Sequence, residues 1–384
     1  MRILHTADWH LGRIFQGIHL TSDQVYILDQ LKSIIRESKV DLIVVSGDIY
    51  DRAVPPPEAV KLLDDTISSF IFDLKIPMIV IAGNHDSPDR LNFGSRLFAA
   101  HNLFLSGSLQ FPVNPIVLSD DNGPVYFYAL PYAEPSLVRE LADNQEIREH
   151  NDAMATIINT IELNRSSRSV LCGHAFVQGA DICRDSERPL CIGGTGSIDS
   201  AIFDEFTCTI LGHLHRPQIV ANSSIHYSGS ILPYSFSETD HKKSVTLLDI
   251  DKDGKVTYEY IPLQPKHALR IVNGTMAEII QAAAHDSNPD DYLLVRLQDK
   301  EPILDAIGKL RTVYPNVLLI ERPGLESTIS DLYETRVDHR KLSDEDLFAA
   351  FVSQTTGSTL TDAQADFFLS IVEKVHRKER EASE

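Results

Sequence analysis

The sequence predicts an α/β fold: a two-sheet β-sandwich flanked by helices, followed by a small α/β capping domain and a C-terminal helix pair. Three observations carry this. The first hundred residues alternate strand and helix signals in a βαβαβ rhythm, and their strands are continuous apolar runs, the mark of a parallel sheet covered on both faces. From about Val113 the strands shorten and alternate in polarity, which predicts a second, more antiparallel sheet packed on the first. At 384 residues the chain exceeds the usual single-domain size, so two or three domains are expected.

In order, Ile3 to Ala7 reads as the first strand. Thr21-x-x-Gln24 has the form of a capping box, opening a helix whose apolar residues Ile27, Leu28, Leu31, Ile34 and Ile35 share one face. Val40 to Ser46 is a buried strand, Pro55-Pro56-Pro57 leads into a helix through about Phe72, and Ile76 to Ala82 is the third strand. Asp89 to His101 reads as a further helix. Beyond it, strands are expected around Val125 to Leu130, Ser169 to Cys172, Thr207 to Leu211, Ile225 to Tyr227, Val245 to Ile250 and Val256 to Leu263. One long helical stretch, Glu134 to Asn164, interrupts them. Asp251-Lys252-Asp253-Gly254 has the composition of a tight hairpin turn.

The expected first domain is 1–265. Residues 266–325 then run strand, helix, strand, helix, strand, with Thr275 and Glu278 capping the first helix, as a compact accessory domain. Residues 326–384 are a linker and helices. Ser343-x-x-Asp346 and Thr361-x-x-Gln364 are capping-box patterns, opening helices that carry Leu347, Phe351, Phe367, Phe368, Ile371 and Val372. A helix pair this small cannot bury its own apolar face, so it docks on the parent domain or binds another protein's helix. The polar link from Pro323 to Lys341 favours the second.

A net charge of −20 argues against a free-standing nucleic-acid binder, which needs basic patches to neutralise phosphates. It leaves room for nucleic acid at a metal site, where divalent ions bring the positive charge, and it makes a basic partner attractive. Cys172, Cys183, Cys191 and Cys208 show no CxxC pairing and read as thiols in a reducing compartment. Met1-Arg2-Ile3-Leu4 enters a strand directly and no apolar run approaches membrane-spanning length, so a soluble cytoplasmic protein is expected.

Five short motifs follow apolar, β-branched runs: Asp8-x-His10, Gly47-Asp48, Gly83-Asn84-His85-Asp86, Gly173-His174 and Gly212-His213-x-His215. Strand ends are where open α/β sheets gather ligands. Taken singly, each has an ordinary turn reading, because Gly and Asp after a strand are common turn chemistry. Taken in order, they make a mixed oxygen and nitrogen donor set suited to Mn, Fe or Zn. An aspartate shared by two ions holds them roughly 3.5 to 4 Å apart, the spacing for in-line attack on a phosphoryl group. Asp48, after the second strand, is the natural bridge.

These motifs resemble those of the calcineurin-like metallophosphoesterase superfamily. Leu4-His5-Thr6-Ala7-Asp8-Trp9-His10-Leu11-Gly12 and Gly83-Asn84-His85-Asp86-Ser87-Pro88-Asp89-Arg90-Leu91 are similar to the SbcD-type nucleases within it, especially the bacterial branch. The resemblance implies Asp8, His10, Asp48 and His215 around one ion, and Asp48, Asn84, His174 and His213 around the other, with Mn as the metal. It implies that His85 stabilises developing charge or protonates the leaving oxygen, and that Asp86 orients the His85 ring. Asp86 and Arg90 also have a bland reading as caps of the following helix. Archaeal and eukaryotic relatives carry a second histidine three residues after the bridging aspartate; this chain has Asp51 there.

The activity implied is Mn-dependent exonuclease action on duplex DNA ends and endonuclease action on hairpins or single strands, in DNA repair and recombination. The partner implied is an SbcC-type coiled-coil ATPase packing on the C-terminal helices. A homodimer within a heterotetramer is also implied, through Pro57 to Phe72 and Arg90 to Ala100. A small-molecule or protein phosphoesterase is the nearest rival, since it would share the metal site; a non-catalytic adaptor is the other.

Overall fold

A computed structural model of the chain describes residues 1–164, 167–183, 187, 196–220, 224–299, 301–323, 348–349, 351–353 and 359–381. It divides into two units, Met1–His267 and Ala268–Glu384.

The first unit holds two six-stranded sheets. One runs in the order Val256–Pro262, Ser244–Ile250, Arg2–Thr6, Leu42–Ser46, Met78–Ile81 and Leu103–Ser106. Its last four strands are mutually parallel, as their apolar runs predict. The other two add antiparallel at the Arg2–Thr6 edge, joined by the expected turn, in which Gly254 N–H donates to Asp251 O at 3.2 Å. They therefore extend the first sheet and not the second.

The second sheet runs Gln218–Ile219, Ile225–Tyr227, Cys208–Gly212, Arg168–His174, Gly123–Ala129 and Ile116–Asp120. Contrary to the sequence expectation, its four central strands are parallel and only the two edges are antiparallel. The reason is burial: Arg168–His174 and Cys208–Gly212 are covered on both faces, the condition of a parallel sheet, but Arg168, Ser169 and Thr209 break their apolar runs. Ile3, Val44 and Ile79 of one sheet pack against Phe127, Val170 and Ile210 of the other.

Three helical expectations change. The stretch Glu134 to Asn164 is two helices, Pro135–Leu141 and His150–Ile158; Asp143 turns left-handed (φ 47°) between them, and Glu149 with Asp152 forms a capping box for the second. Asp89 to His101 splits into Pro88–Asn92 and Ser95–Ala99 at Gly94, whose φ of 72° suits a residue without a side chain. Helix Thr21–Ser38 has Leu20 at its N-cap and no capping box, because Gln24 is occupied elsewhere.

The second unit carries a three-stranded parallel sheet, Leu269–Gly274, Tyr292–Leu297 and Val317–Glu321, with crossover helices Met276–Ala283 and Ala306–Arg311. The Thr275 and Glu278 capping box forms as expected, and Ile279, Leu293, Val295 and Leu310 fill the core. Thr361 and Gln364 bond at 2.8 Å ahead of helix Asp362–Glu381, on which Phe367 is exposed. The Phe348 and Phe368 rings stack at 3.9 Å. Ser343-x-x-Asp346, most of the linker and Cys191 lie outside the described residues. Among the described residues no helix is long and apolar enough to cross a membrane.

Candidate metal centre

All seven expected donor residues meet in the first unit, at the ends of strands from both sheets. Tight backbone turns turn them inward: Asp8, His10, Asp48 and His213 all have positive φ, between 45° and 98°. Non-glycine residues seldom adopt that region, and strained positions cluster at functional sites. The loops brace one another, with Asp8 N–H donating to Gly47 O at 3.0 Å and His10 N–H to Asp48 O at 2.9 Å. Gln24 adds to this: its amide donates to His10 O at 2.7 Å and accepts from Gly12 N–H at 3.1 Å. The fully buried Trp9 ring donates to Thr6 Oγ1 at 2.9 Å.

Asp48 faces both ways. Its Oδ2 lies 3.6 Å from His10 Nε2, and its Oδ1 lies 3.6 Å from His174 Nε2. On the first side, His10 Nε2 and His215 Nε2 stand 3.2 Å apart. On the second, Asn84 Oδ1 lies 3.0 Å from His174 Nε2 and 3.3 Å from His213 Nδ1. Asp8 holds the floor, its carboxylate accepting from His213 N–H at 2.9 Å. Donor atoms of Asp8, His10 and His215, and separately of Asp8, Asp48 and His174, lie within 4.8 Å of one another.

The residues fit divalent ions. His174 Nδ1 gives its proton to Ser46 O at 2.9 Å, and His215 Nδ1 gives its own to Glu238 Oε1 at 3.1 Å, so in the neutral rings both Nε2 atoms carry lone pairs. His174 Nε2 then points its lone pair at the Asn84 Oδ1 acceptor, a pairing that a cation reconciles, and His215 Nε2 faces the ring of His10. The charges agree: burial, and next the charge of Asp48, push the Asp8 carboxyl well above its ordinary range, so without a cation the two carboxylates oppose each other. Burial holds His10 and His213 well below the ordinary histidine range, which keeps them neutral and able to ligate.

His85 sits beside these groups, its ring 4.8 Å from that of His10 and its Nε2 4.0 Å from Asp48 Oδ2. Its Nδ1 bonds the main-chain O of Asp51 at 2.8 Å, so Nε2 faces the site. Asp86 does not orient this ring, contrary to the sequence expectation, and it does not cap the helix at Pro88. Its carboxylate accepts three backbone N–H groups, from Ile49 at 3.0 Å, Tyr50 at 2.9 Å and Gly83 at 2.9 Å, tying two metal-site loops together. Burial, then Asp48, pushes its carboxyl up to about 7. The Asp51 side chain is engaged by Arg13 at 2.7 Å, and the Arg13 guanidinium lies 5.6 Å above the Tyr234 ring.

Sequence reasoning missed a second layer behind His215. Glu238 is fully buried and bonded to Lys243, which also donates to His215 O at 2.8 Å. Burial alone would raise the Glu238 carboxyl, yet Lys243 and His215 hold it below the usual range. Glu187 Oε1 accepts from His215 N–H at 2.7 Å. These residues sit in polar loop stretches that read as solvated surface, and nothing in their spacing marks them.

Known proteins with similar sequences give this geometry a family. Residues 1–217 match the model of the calcineurin-like phosphoesterases, and residues 265–356 match a type 5 capsule protein repressor C-terminal domain. The chain is 37% identical over 370 residues to the SbcD component of nuclease SbcCD from Staphylococcus epidermidis, covering 95% of this chain and 96% of that protein. It is 35% identical over 367 residues to the same-named component from Staphylococcus saprophyticus, again covering 95% and 96%. A solved dimetal phosphatase from Danio rerio shares 13% identity at a TM-score of 0.41, over 69% of this chain and 99% of that one. With a family model spanning more than half its length and relatives above 30% identity across nearly all of it, the chain belongs to the calcineurin-like phosphoesterases and, within them, to the SbcD family.

Proposed function

We propose that this chain is the nuclease subunit of an SbcCD-type complex, hydrolysing DNA phosphodiesters with two Mn ions. The observation that carries the reading is the Asp48 carboxylate, whose two oxygens face separate clusters of donors. Asp8, His10, Asp48 and His215 would hold one ion, and Asp48, Asn84, His174 and His213 the other. Bound there, the ions supply Lewis-acid charge on the phosphoryl oxygens and an ionised water for in-line attack.

The chain's own part is positioning and proton transfer. His85, pinned through Nδ1–H by the Asp51 carbonyl, presents Nε2 to the leaving sugar oxygen and, as the imidazolium, gives it the Nε2 proton, returning to the neutral ring. Asp86 acts on loop geometry and not on the proton. Residues 1–265 are the catalytic domain, 266–325 the capping domain, and 326–384 the segment that binds an SbcC-type ATPase. Exposure of Phe367 at 68% and Ile371 at 43% supports that last assignment. Exposed Phe72, Phe93 and Leu97 support a homodimer within a heterotetramer. The expected compartment is the cytoplasm.

The test is an end-labelled DNA hairpin and a linear duplex incubated with Mn, with and without the ATPase. Cleavage is expected. A protein that hydrolyses small phosphoesters while leaving both DNA substrates intact would be the rival phosphoesterase.

A further inference from the structure

We propose that Glu238, anchored by Lys243, is a positioning residue that fixes the ring of His215 so that its Nε2 is presented to one ion of the metal pair. The proposal rests on the two-metal reading above and extends it to a carboxylate about which the motifs say nothing.

Four observations carry it. The Glu238 carboxylate spans two partners, taking Nδ1–H of His215 on Oε1 at 3.1 Å and the Lys243 ammonium on Oε2. Both charged residues are buried, Glu238 at 1% exposure and Lys243 at 6%, so neither is a surface ion pair free to rearrange. Lys243 reaches further, to His215 O at 2.8 Å and Ser230 Oγ at 2.8 Å, so the cation that neutralises Glu238 also fixes the backbone of the histidine it serves. Finally, the opposite ring nitrogen of His215 lies 3.2 Å from His10 Nε2, which places it inside the donor cluster.

The consequence is chemical. A histidine has two ring nitrogens and can ligate through either, and the hydrogen bond made by one selects the other. A buried carboxylate on Nδ1–H selects the tautomer with a bare Nε2 and raises its basicity. A carboxylate alone at this depth would add negative charge to a site already crowded with it; Lys243 cancels that charge locally. His241, with Nδ1 3.9 Å from Glu238 Oε2, flanks the pair. A helix-starting cap explains part of the local structure, since Ser235 Oγ caps Phe236–Glu238 by accepting from Ser237 N–H, but that cap does not set where the Glu238 side chain points.

The experiment uses the full-length protein. With 15N-labelled histidine, long-range 15N correlation spectra of the metal-free protein report the His215 tautomer, and electron paramagnetic resonance of added Mn reports its two affinities. Wild type should show a single His215 tautomer bearing its proton on Nδ1. Glu238→Ala should show mixed tautomers and bind one Mn about 10- to 100-fold more weakly, the other unchanged. Glu238→Gln keeps the side-chain volume and guards against an alanine variant that fails to fold; its single oxygen can serve His215 or Lys243 and not both, so it should give mixed tautomers and a loss of affinity smaller than that of the alanine variant. An unchanged tautomer in Glu238→Ala, or equal weakening of both ions, overturns the proposal. A locked tautomer in a wild-type protein that binds no Mn would instead sink the two-metal reading and leave the orienting contact standing.

Discussion

The main-chain carbonyl of Asp51 accepts the Nδ1–H of His85 at 2.8 Å, so the ring of the proposed proton donor is aimed by backbone and not by a carboxylate. His85→Ala should lower kcat about 10²- to 10⁴-fold with Mn affinity retained. Asp51→Asn should change kcat far less, because the carbonyl survives the substitution. Single-turnover cleavage of a labelled hairpin beside Mn titration separates the two; equal losses would show that the Asp51 side chain aims the ring.

Asp86 is expected to matter for stability more than for chemistry. Asp86→Ala strands three buried N–H groups and should cost about 3 kcal/mol or more, read by urea unfolding of the metal-free protein. The pH dependence follows from its raised carboxyl. Because the folded value, about 7, lies above the unfolded one, the associated stability is intact in acid and lost as pH rises through about 7. Metal-free wild type should therefore weaken between about pH 4 and neutrality, and Asp86→Asn should flatten that slope.

Gly83→Ala should empty the site without unfolding the protein. A Cβ there would collide with Asp48 Oδ1 and the Asp48 backbone nitrogen. Calorimetric titration should show loss of Mn binding while far-UV circular dichroism stays native; retained binding would mean that Asp48 can shift.

The donors are legible in the sequence because each follows an apolar strand and each motif is local: Asp8-x-His10 and His213-x-His215 carry their spacing in three residues. What the sequence hides is support at long range. Thr21-x-x-Gln24 has the letters of a capping box, yet Gln24 turns away to hold His10 and Gly12, a contact no local pattern encodes. Asp86 is legible as important and not as a loop tie, since its partners Ile49 and Tyr50 are 37 and 36 residues away. The parallel character of the second sheet is hidden for a related reason: Arg168, Ser169, Thr209 and His226 are buried within its strands, and polar residues there imitate the alternation of a half-exposed sheet.

Away from the site, Arg168 grips Asp120 with two bonds, of 2.8 and 2.6 Å, and this holds the Asp120 carboxyl well below the usual carboxylate range. A lowered folded value gives stability that is present above that range and lost as pH falls through it. Asp120→Asn should thus destabilise by about 1.5 to 3 kcal/mol at neutral pH, with the difference from wild type shrinking in acid. Chemical unfolding at neutral and acidic pH measures both.

Mn should stabilise the fold by mass action, by about 2.7 kcal/mol at a hundredfold excess over its dissociation constant, and chelation should reverse this. The same addition to a variant with Asp48 changed to Ala should shift the melting temperature little.

Asp8 accepts from the backbone of His213, 205 residues along the chain, and the buttress of His215 waits for Glu238 and Lys243. At about 5 to 20 residues per second, a ribosome spends many seconds between making the first donor and the last support. The half-made chain therefore carries an incomplete donor cluster: the last donor arrives with His215, and the brace behind it only with Lys243.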